Sequence, residues 1–432
     1  MPAFSGKQIN LLNSYFSTME HKNTEFFNFV IVGAGPAGLT AAITAARLGL
    51  KTIIIEKGEI AGPRPRGEGM GHYPIVDEIL GKDYLPSIGL KSNGGRVWHS
   101  PGDIQKFTTY KTYDHYFFEW REFIDRFVEV ANEEKVEIRY NNEVIEPLDE
   151  EGFTIGVKYK DKNGNVNNVF GQAILDCSGY FGVIGSKYGI NYNDMNCPIV
   201  KCLISKANLN LKDTPDLQFY FIGNGDLEYA PKFPPSVAYV FPLENQRAEV
   251  GLMLRMAQVP QMRSVEVPNE SEILIVWDKL KKSYPGFSTF FKGAQIDYEE
   301  VTYLPNAKMA NNFVPNPGTI LIGDAAGFIN PFGSSGLYYS MEMASFWVKI
   351  IYEELTSINR NEDIKPNFIE DLWTEQKIGQ YKLKFENIEV YKEVNHMYNL
   401  IGAFEYKIFN RLRTSEKINK KWEYITSLLS QA

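Results

Sequence analysis

Three closely spaced glycines, Gly33, Gly35 and Gly38, constrain the fold of this 432-residue chain more than any other feature. They follow an apolar run over 29–32 that predicts a strand, and they precede small residues up to Arg47 that predict a helix. Glycines at this spacing permit a tight turn, close approach of the backbone to a pyrophosphate, and close packing of the helix on the strand. The segment therefore predicts a βαβ unit whose first turn binds a dinucleotide. The residues assigned to that turn are Gly33, Gly35, Ala37 and Gly38.

Glu56 ends the second predicted strand of this unit, which spans 50–55. It lies about 20 positions after Gly38, the separation at which a carboxylate reaches the ribose hydroxyls of a dinucleotide. A glycine motif alone is weak, but strand, helix, second strand and terminal carboxylate together are specific. We therefore assign Glu56, and Lys57 beside it, to the dinucleotide site.

A second glycine-rich run begins with Gly323 and Asp324, directly after an apolar stretch over 319–322 that predicts a buried strand. A helix is predicted from about Gly336 to Leu355. A carboxylate at the end of a buried strand supplies hydrogen-bond acceptors to a polar ligand chain, and amides at a helix start stabilise negative charge. An ordinary helix N-cap is the alternative interpretation of Asp324.

These two runs, with Arg121 and Asp125 four residues on, resemble a group of FAD-dependent oxidoreductases that includes aromatic hydroxylases, geranylgeranyl reductases and flavin-dependent halogenases. The resemblance covers about 29–355 and implies FAD as the cofactor, with its ribityl chain bound to Asp324. It also implies that Arg121 lies near the adenosine or pyrophosphate, although a solvated helix face equally explains that arginine. The positions that the resemblance assigns to the flavin are Gly323, Asp324, Pro331, Gly333, Ser334, Ser335, Gly336 and Leu337.

Within that group the chain most resembles the geranylgeranyl reductases. Gly67, Glu68 and Gly69 are similar to their Cys-Gly-Glu-Gly segment, with Arg66, which we assign to the FAD site, in place of the cysteine. Their Tyr-x-Trp-x-Phe-Pro strand is matched by Val237, Tyr239, Phe241 and Pro242, so this chain keeps only the Phe-Pro. A cysteine-dependent step is therefore not expected.

Halogenases and hydroxylases share parts of the same pattern. Tryptophan halogenases place a catalytic Glu where this chain has Gly333, and no lysine follows the Gly-Glu segment before Lys82, which disfavours halogenation. The stretch 176–183 lacks the hydroxylases' Asp-Gly motif for flavin and NADPH, and the sequence has no second Gly-x-Gly-x-x-Gly. The electron donor is left open between NAD(P)H and a separate reductase protein.

Two side chains are candidates for catalysis. His72 follows a Gly/Pro-rich segment, 62–71, that predicts a loop near the flavin, and an imidazole titrates near working pH. Glu68 lies within that loop; an ordinary surface side chain is the alternative for each. Phe221, Tyr239 and Phe241 are assigned to the substrate pocket because alternation along strands sends such residues to one face, with a plain sheet core as the alternative.

The predicted architecture is α/β, with a doubly wound, Rossmann-like FAD-binding domain, an inserted and mainly antiparallel β substrate domain, and a C-terminal helical cap. We assign 1–28 to an N-terminal extension; 29–90, 116–190 and 304–355 to the FAD-binding domain; 91–115 and 191–303 to the substrate domain; and 356–432 to the helical region.

Composition and charge limit the kinds of molecule that this chain is expected to bind. A net charge of −8 gives no basic footprint for nucleic acid. No apolar run reaches the roughly 18 residues of a membrane span, and the amino end lacks a signal-peptide core, so we expect a cytoplasmic protein with at most peripheral membrane contact. Three cysteines are too few for a disulfide framework or a metal site, and no metal is expected. The 14% aromatic content indicates a flat, water-excluding pocket for a hydrophobic small molecule.

The leading functional expectation is reduction of a carbon–carbon double bond in a polyunsaturated or aromatic substrate by reduced flavin. A flavin-dependent monooxygenase, hydroxylase or halogenase-like, is the alternative. A flavoprotein in which the cofactor has no redox role is the second alternative.

Overall fold

Strands and helices alternate in the first part of the chain, and strands dominate the middle. A computed structural model describes residues 25–92, 95–100, 103–111, 114–190, 197–211, 216–222, 236–254, 269–284, 286–304, 309–331, 335–359 and 369–409. The strands are β1 (Phe26–Val32), β2 (Thr52–Ile55), β3 (Gly67–Gly71), β4 (Leu90–Lys91), β5 (Gly95–Ser100), β6 (Asp103–Lys111), β7 (His115–Glu119), β8 (Glu137–Arg139), β9 (Glu143–Glu150), β10 (Phe153–Lys160), β11 (Val166–Asp176), β12 (Cys197–Ser205), β13 (Leu217–Ile222), β14 (Ser236–Leu243), β15 (Arg247–Leu254), β16 (Gln295–Leu304) and β17 (Thr319–Leu321). The helices are α1 (Pro36–Arg47), α2 (Pro74–Leu80), α3 (Tyr84–Ile88), α4 (Trp120–Glu133), α5 (Glu270–Ser283), α6 (Leu337–Asn359), α7 (Ile369–Leu372), α8 (Glu375–Glu386) and α9 (Glu389–Phe409).

The first sheet has the order β8-β2-β1-β11-β10-β9, with β17 also paired to β11. Strands β8, β2, β1, β11 and β17 run parallel, and the mostly apolar sequences of β1, β2 and β17 fit burial on both faces. In this register Val32 lies beside Asp176, and Asp176 lies beside Leu321. The residues that follow β1, β11 and β17 therefore meet at one edge of the sheet, where ligands of open α/β sheets bind.

The second sheet has the order β16-β12-β15-β14-β13-β5-β6 and is antiparallel except where β13 pairs with β5. Along each of its four central strands, successive side chains point alternately to the two faces of the sheet. One face packs on α5 through Ile273, Trp277 and Leu280. The other face turns towards the first half of the molecule.

A short third sheet, β3-β7-β4, joins the two larger ones. The segment 67–71, predicted as a loop, is the strand β3, so that prediction was wrong. Pairing with β7 overrides the low strand propensity of glycine, because side chains from outside the strand fill the space of the missing ones. A Cβ on Gly69, for example, would lie 2.7 Å from the ring of Phe117.

The helices after α6 pack on the first half of the molecule. Phe385 of α8 is fully buried and contacts Phe313, Phe328 and Trp347. The described architecture confirms the predicted fold class; the domain boundaries themselves stay a prediction. No helix in the described ranges has the length and apolar character to cross a bilayer.

Candidate functional site

A cavity lies between the edge of the first sheet and one face of the second sheet. From the first half of the fold it is lined by Gly35, Pro36, Ala37, Cys177, Gly179, Ile322, Asp324, Ile329, Ser335, Gly336, Leu337 and Ser340. From the joining sheet and the residue before it come Arg66, Glu68, Gly69 and His115. From the second sheet come Ile199, Lys201, Leu217, Phe219, Tyr239, Phe241, Met253 and Leu304. Ten of the residues predicted for the site therefore share one cavity: Gly35, Ala37, Arg66, Glu68, Tyr239, Phe241, Asp324, Ser335, Gly336 and Leu337.

The turn from β1 into α1 has the shape that a pyrophosphate requires. A Cβ on Gly38 would lie 2.0 Å from the carbonyl oxygen of Gly33, so the helix start packs directly on the turn. Gly35 is different, because a Cβ there would meet no atom of the protein within 4 Å and its φ of −84° suits any residue. Packing within the protein does not require glycine at position 35. Glycine is required there if the protein backbone approaches a pyrophosphate closely, and the turn therefore fits a bound dinucleotide.

Asp324 sits on the other side of the same edge, in a short helical turn (Gly323–Ala326) that follows β17. Among the described residues, none forms a side-chain hydrogen bond with it, although it is only partly exposed to the cavity. Burial raises the pKa of its carboxyl, and the charges of Arg66 and Lys201 oppose that rise. A half-buried carboxylate that faces a cavity without a protein partner fits a ligand with hydroxyl donors, such as the ribityl chain of FAD.

The start of α6 completes this side of the cavity. A Cβ on Gly336 would lie 3.1 Å from Asp324 Oδ1, so the glycine lets the two segments approach. Ser335 and Leu337 flank it and line the cavity, and Gly323 packs against Ser340 of α6. Pro331 is buried next to the bridge between Asn330 and Ser335. The predicted residues Gly333 and Ser334 lie outside the described residues.

Glu56 lies at the end of β2, as predicted, with both oxygens bound to the backbone. Its Oε2 accepts from the Ala34 amide at 2.7 Å and its Oε1 from the Gly58 amide at 2.6 Å. The carboxylate therefore fixes the turn after β1, and each oxygen keeps a lone pair for a ribose hydroxyl. Lys57 extends over the ring of Phe181 at 4.2 Å.

Two predicted residues lie away from the cavity. Arg121 binds Asp125 and the carbonyl of Ala61 (2.9 and 2.8 Å), and it lines a separate surface depression. The Nε2 of His72 lies 2.7 Å from Asp77 Oδ1. His72 does not line the cavity, because β3 has already led the chain past the cavity before position 72. The histidine that lines the cavity is His115.

Charged side chains gather where the joining sheet meets the second sheet. Glu68 Oε1 lies 3.0 Å from Arg66 Nε and 3.5 Å from Lys201 Nζ. The Arg66 contact is an ion pair without hydrogen-bond alignment, and its guanidinium also stacks 3.6 Å above Trp120. We call Arg66, Glu68 and Lys201 the charged cluster. Lys201 was not singled out from the sequence; one charged residue within an apolar strand was the available signal.

Glu249 adds a buried carboxyl behind this cluster. It is 1% exposed, its Oε1 lies 3.2 Å from the hydroxyl of Tyr239, and its Oε2 accepts from the Gly67 amide at 3.3 Å. Burial raises the pKa of Glu249 to about 7, with Glu68 adding to the rise and Lys201 opposing it. Glu249 was not singled out from the sequence; in the structure it lies opposite Phe241 of β14.

Two of the three predicted aromatic residues, Tyr239 and Phe241, lie on the face of the second sheet that turns to the cavity. Phe219 pairs with Tyr239 across β13 and β14, and both line the cavity with Phe241. Tyr220, one residue on, packs on the opposite face near α5. The side chain of Phe221 lies outside the described residues. We call Ile199, Lys201, Leu217, Phe219, Tyr239, Phe241 and Met253 the cavity face.

Comparison with known proteins shows which proteins this chain is similar to. A family model described as FAD dependent oxidoreductase matches residues 28–193. The digeranylgeranylglycerophospholipid reductase 2 of Methanopyrus kandleri is 24% identical over 91% of this chain and 94% of its own length. The tryptophan 2-halogenase of Chondromyces crocatus is 26% identical over 73% of this chain and 59% of its own length. A geranylgeranyl bacteriochlorophyll reductase-like protein from Thermoplasma acidophilum superposes with a TM-score of 0.69 at 18% identity, covering 94% and 99% of the two chains.

The chain is an FAD-dependent oxidoreductase. Proteins similar to it include digeranylgeranylglycerophospholipid reductases, a tryptophan 2-halogenase and an FAD-dependent halogenase. The resemblance deduced from the two glycine runs is thereby confirmed, and FAD is the cofactor that the family implies.

Gly35→Ala tests the pyrophosphate turn. The protein itself has room for the methyl group, so we expect an unchanged melting temperature for the apoprotein and a loss of FAD affinity of at least tenfold, measured by titration with the cofactor. Gly379→Ala, at an open position of α8, is the matched control and should bind FAD normally. Unchanged FAD affinity in Gly35→Ala would contradict this placement.

Glu249→Gln tests the buried carboxyl through stability. In the unfolded chain the group ionises near its ordinary pKa of 4.5, but in the folded protein only near about 7, so wild-type stability falls as pH rises between these values. The variant lacks this loss. Relative to wild type, its free energy of unfolding should therefore increase by roughly 2.5 kcal/mol from pH 5 to pH 8.

Urea unfolding at both pH values measures this change. Glu244→Gln, an exposed carboxyl on the same hairpin, serves as the control and should change by less than about 0.5 kcal/mol. A pH-independent difference between Glu249→Gln and wild type would show that Glu249 is ionised throughout.

Proposed function

We propose that this chain uses FAD to reduce carbon–carbon double bonds of a long, apolar, polyunsaturated lipid. The observation that carries the proposal is the cavity face, which sets Phe219, Phe241 and Met253 opposite the FAD-binding turn and Asp324. Flat aromatic and flexible thioether side chains pack well against an isoprenoid chain. The reductase from M. kandleri, named for a digeranylgeranyl lipid and aligned over nearly the whole of both chains, supports the same substrate class.

Different residues of the chain bind the cofactor and orient the substrate. The turn at Gly35 would hold the pyrophosphate, Glu56 would hold the ribose, and Asp324 would hold the ribityl chain. When bound and reduced, FAD supplies a hydride. The cavity face excludes water and orients the alkene, and the charged cluster keeps two cations beside the cavity. The reducing equivalents come from NAD(P)H or from a separate electron-donor protein.

A second candidate is oxygenation or halogenation of an apolar substrate. Lys201 favours it, because the second sheet places an amine in the cavity that the Gly-Glu segment itself does not provide. The ion pair between Lys201 and Glu68 favours the reductase, since the amine is already engaged. We therefore retain double-bond reduction as the first choice.

The test uses protein loaded with FAD and photoreduced without oxygen. Mixing with a detergent-dispersed geranylgeranylglycerol lipid should return the oxidised-flavin absorbance, and the recovered lipid should carry two more hydrogens per reduced double bond. A saturated phytanyl analogue, the matched control, should leave the flavin reduced.

The proposal fails if the unsaturated lipid leaves the flavin reduced until air is admitted. An oxygenated product after air, or a halogenated product when chloride or bromide is present, would establish the second candidate instead.

A further inference from the structure

Tyr239 is a phenol-bearing residue of the second sheet that lines the cavity. It lies on β14, directly across from Gly251 on β15. A Cβ on Gly251 would lie 2.4 Å from the Tyr239 hydroxyl, so the glycine allows the ring to lie flat over β15. The hydroxyl thereby reaches Glu249 Oε1 at 3.2 Å.

Glu249 does not itself line the cavity. Its second oxygen accepts a hydrogen bond from the Gly67 amide. The only described cavity-lining side chain that hydrogen-bonds its carboxyl is Tyr239. The pair therefore forms a two-member path from the buried carboxyl to the cavity.

We propose that Tyr239 donates the proton that completes the reduction of the substrate double bond, and that Glu249 then reprotonates Tyr239. This inference rests on the proposed function. The π bond of the alkene breaks, and one carbon takes the hydride that reduced FAD supplies. The neighbouring carbon takes the phenol proton, so that FAD is oxidised and the alkene is reduced. The Glu249 proton passes to the phenolate, and the carboxylate regains a proton from solvent.

The charges around the pair suit this role. Burial and the neighbouring Glu249 raise the pKa of Tyr239 well above its ordinary value, so the phenol is protonated between turnovers. The pKa of Glu249 near 7 leaves a carboxylic acid available at neutral pH. The titratable and charged groups near Glu249 are Lys201 and Cys202 of β12, Arg66 before β3, Glu68 of β3, Tyr239 of β14 and Tyr298 of β16.

The experiment compares substrate-driven flavin reoxidation in wild type, Tyr239→Phe and Glu249→Gln, each loaded with FAD and photoreduced. We expect Tyr239→Phe to slow reoxidation by roughly 10²-fold or more, with lipid affinity unchanged. In wild type the rate should fall as pH rises above about 7, where Glu249 ionises, and in Glu249→Gln this dependence should disappear with a slower plateau. Tyr220→Phe, a buried tyrosine on the opposite face of the same sheet, should match wild type.

A readout without cofactor or substrate accompanies the kinetics. Infrared difference spectra of the apoprotein should show a protonated-carboxyl band that titrates near pH 7 and is missing from Glu249→Gln. Equal reoxidation rates in Tyr239→Phe and wild type would overturn the relay alone, as would a missing band. Failure of the lipid to reoxidise wild type would overturn both the relay and the proposed function.

Discussion

The same two cations act on one buried carboxyl in each half of this molecule. Asp324 at the edge of the first sheet and Glu249 inside the second sheet are both carboxyls removed from bulk water. The cations of Arg66 and Lys201 act on both of them, and Glu68 links the two cations. An isolated buried charge is costly, so the proximity of these cations lowers the cost of burying both carboxyls. Arg66, Glu68 and Lys201 all line the cavity.

The register of the strands determines which residues meet at the cavity. Because β1, β11 and β17 run parallel and end at the same level, the turns at Gly33 and Gly323 lie close together at one edge of the first sheet. Alternation along β12 to β15 then turns one set of side chains to α5 and the other to the cavity. The second sheet thus packs on α5 with one face and lines the cavity with the other.

Local patterns were enough to place three of the predicted site residues at the ends of strands. Gly35, Glu56 and Asp324 each lie directly after a strand that is visible in the sequence, so their placement depends on a few neighbouring residues. Lys201 and Glu249 were missed because their meeting with Glu68 depends on the register between β12 and β15 and on the packing of β3, which no local pattern encodes. His72 does not line the cavity for the same reason: the segment before it is a strand paired with β7, and its imidazole contacts Asp77.

A crystal structure of the protein with FAD and a geranylgeranyl lipid tests the central claim, that one cavity holds the cofactor against the second sheet. The account predicts the flavin ring between the start of α6 and Tyr239, with the lipid chain along Phe219 and Met253. A flavin ring away from Asp324, or a lipid bound outside this cavity, would contradict it.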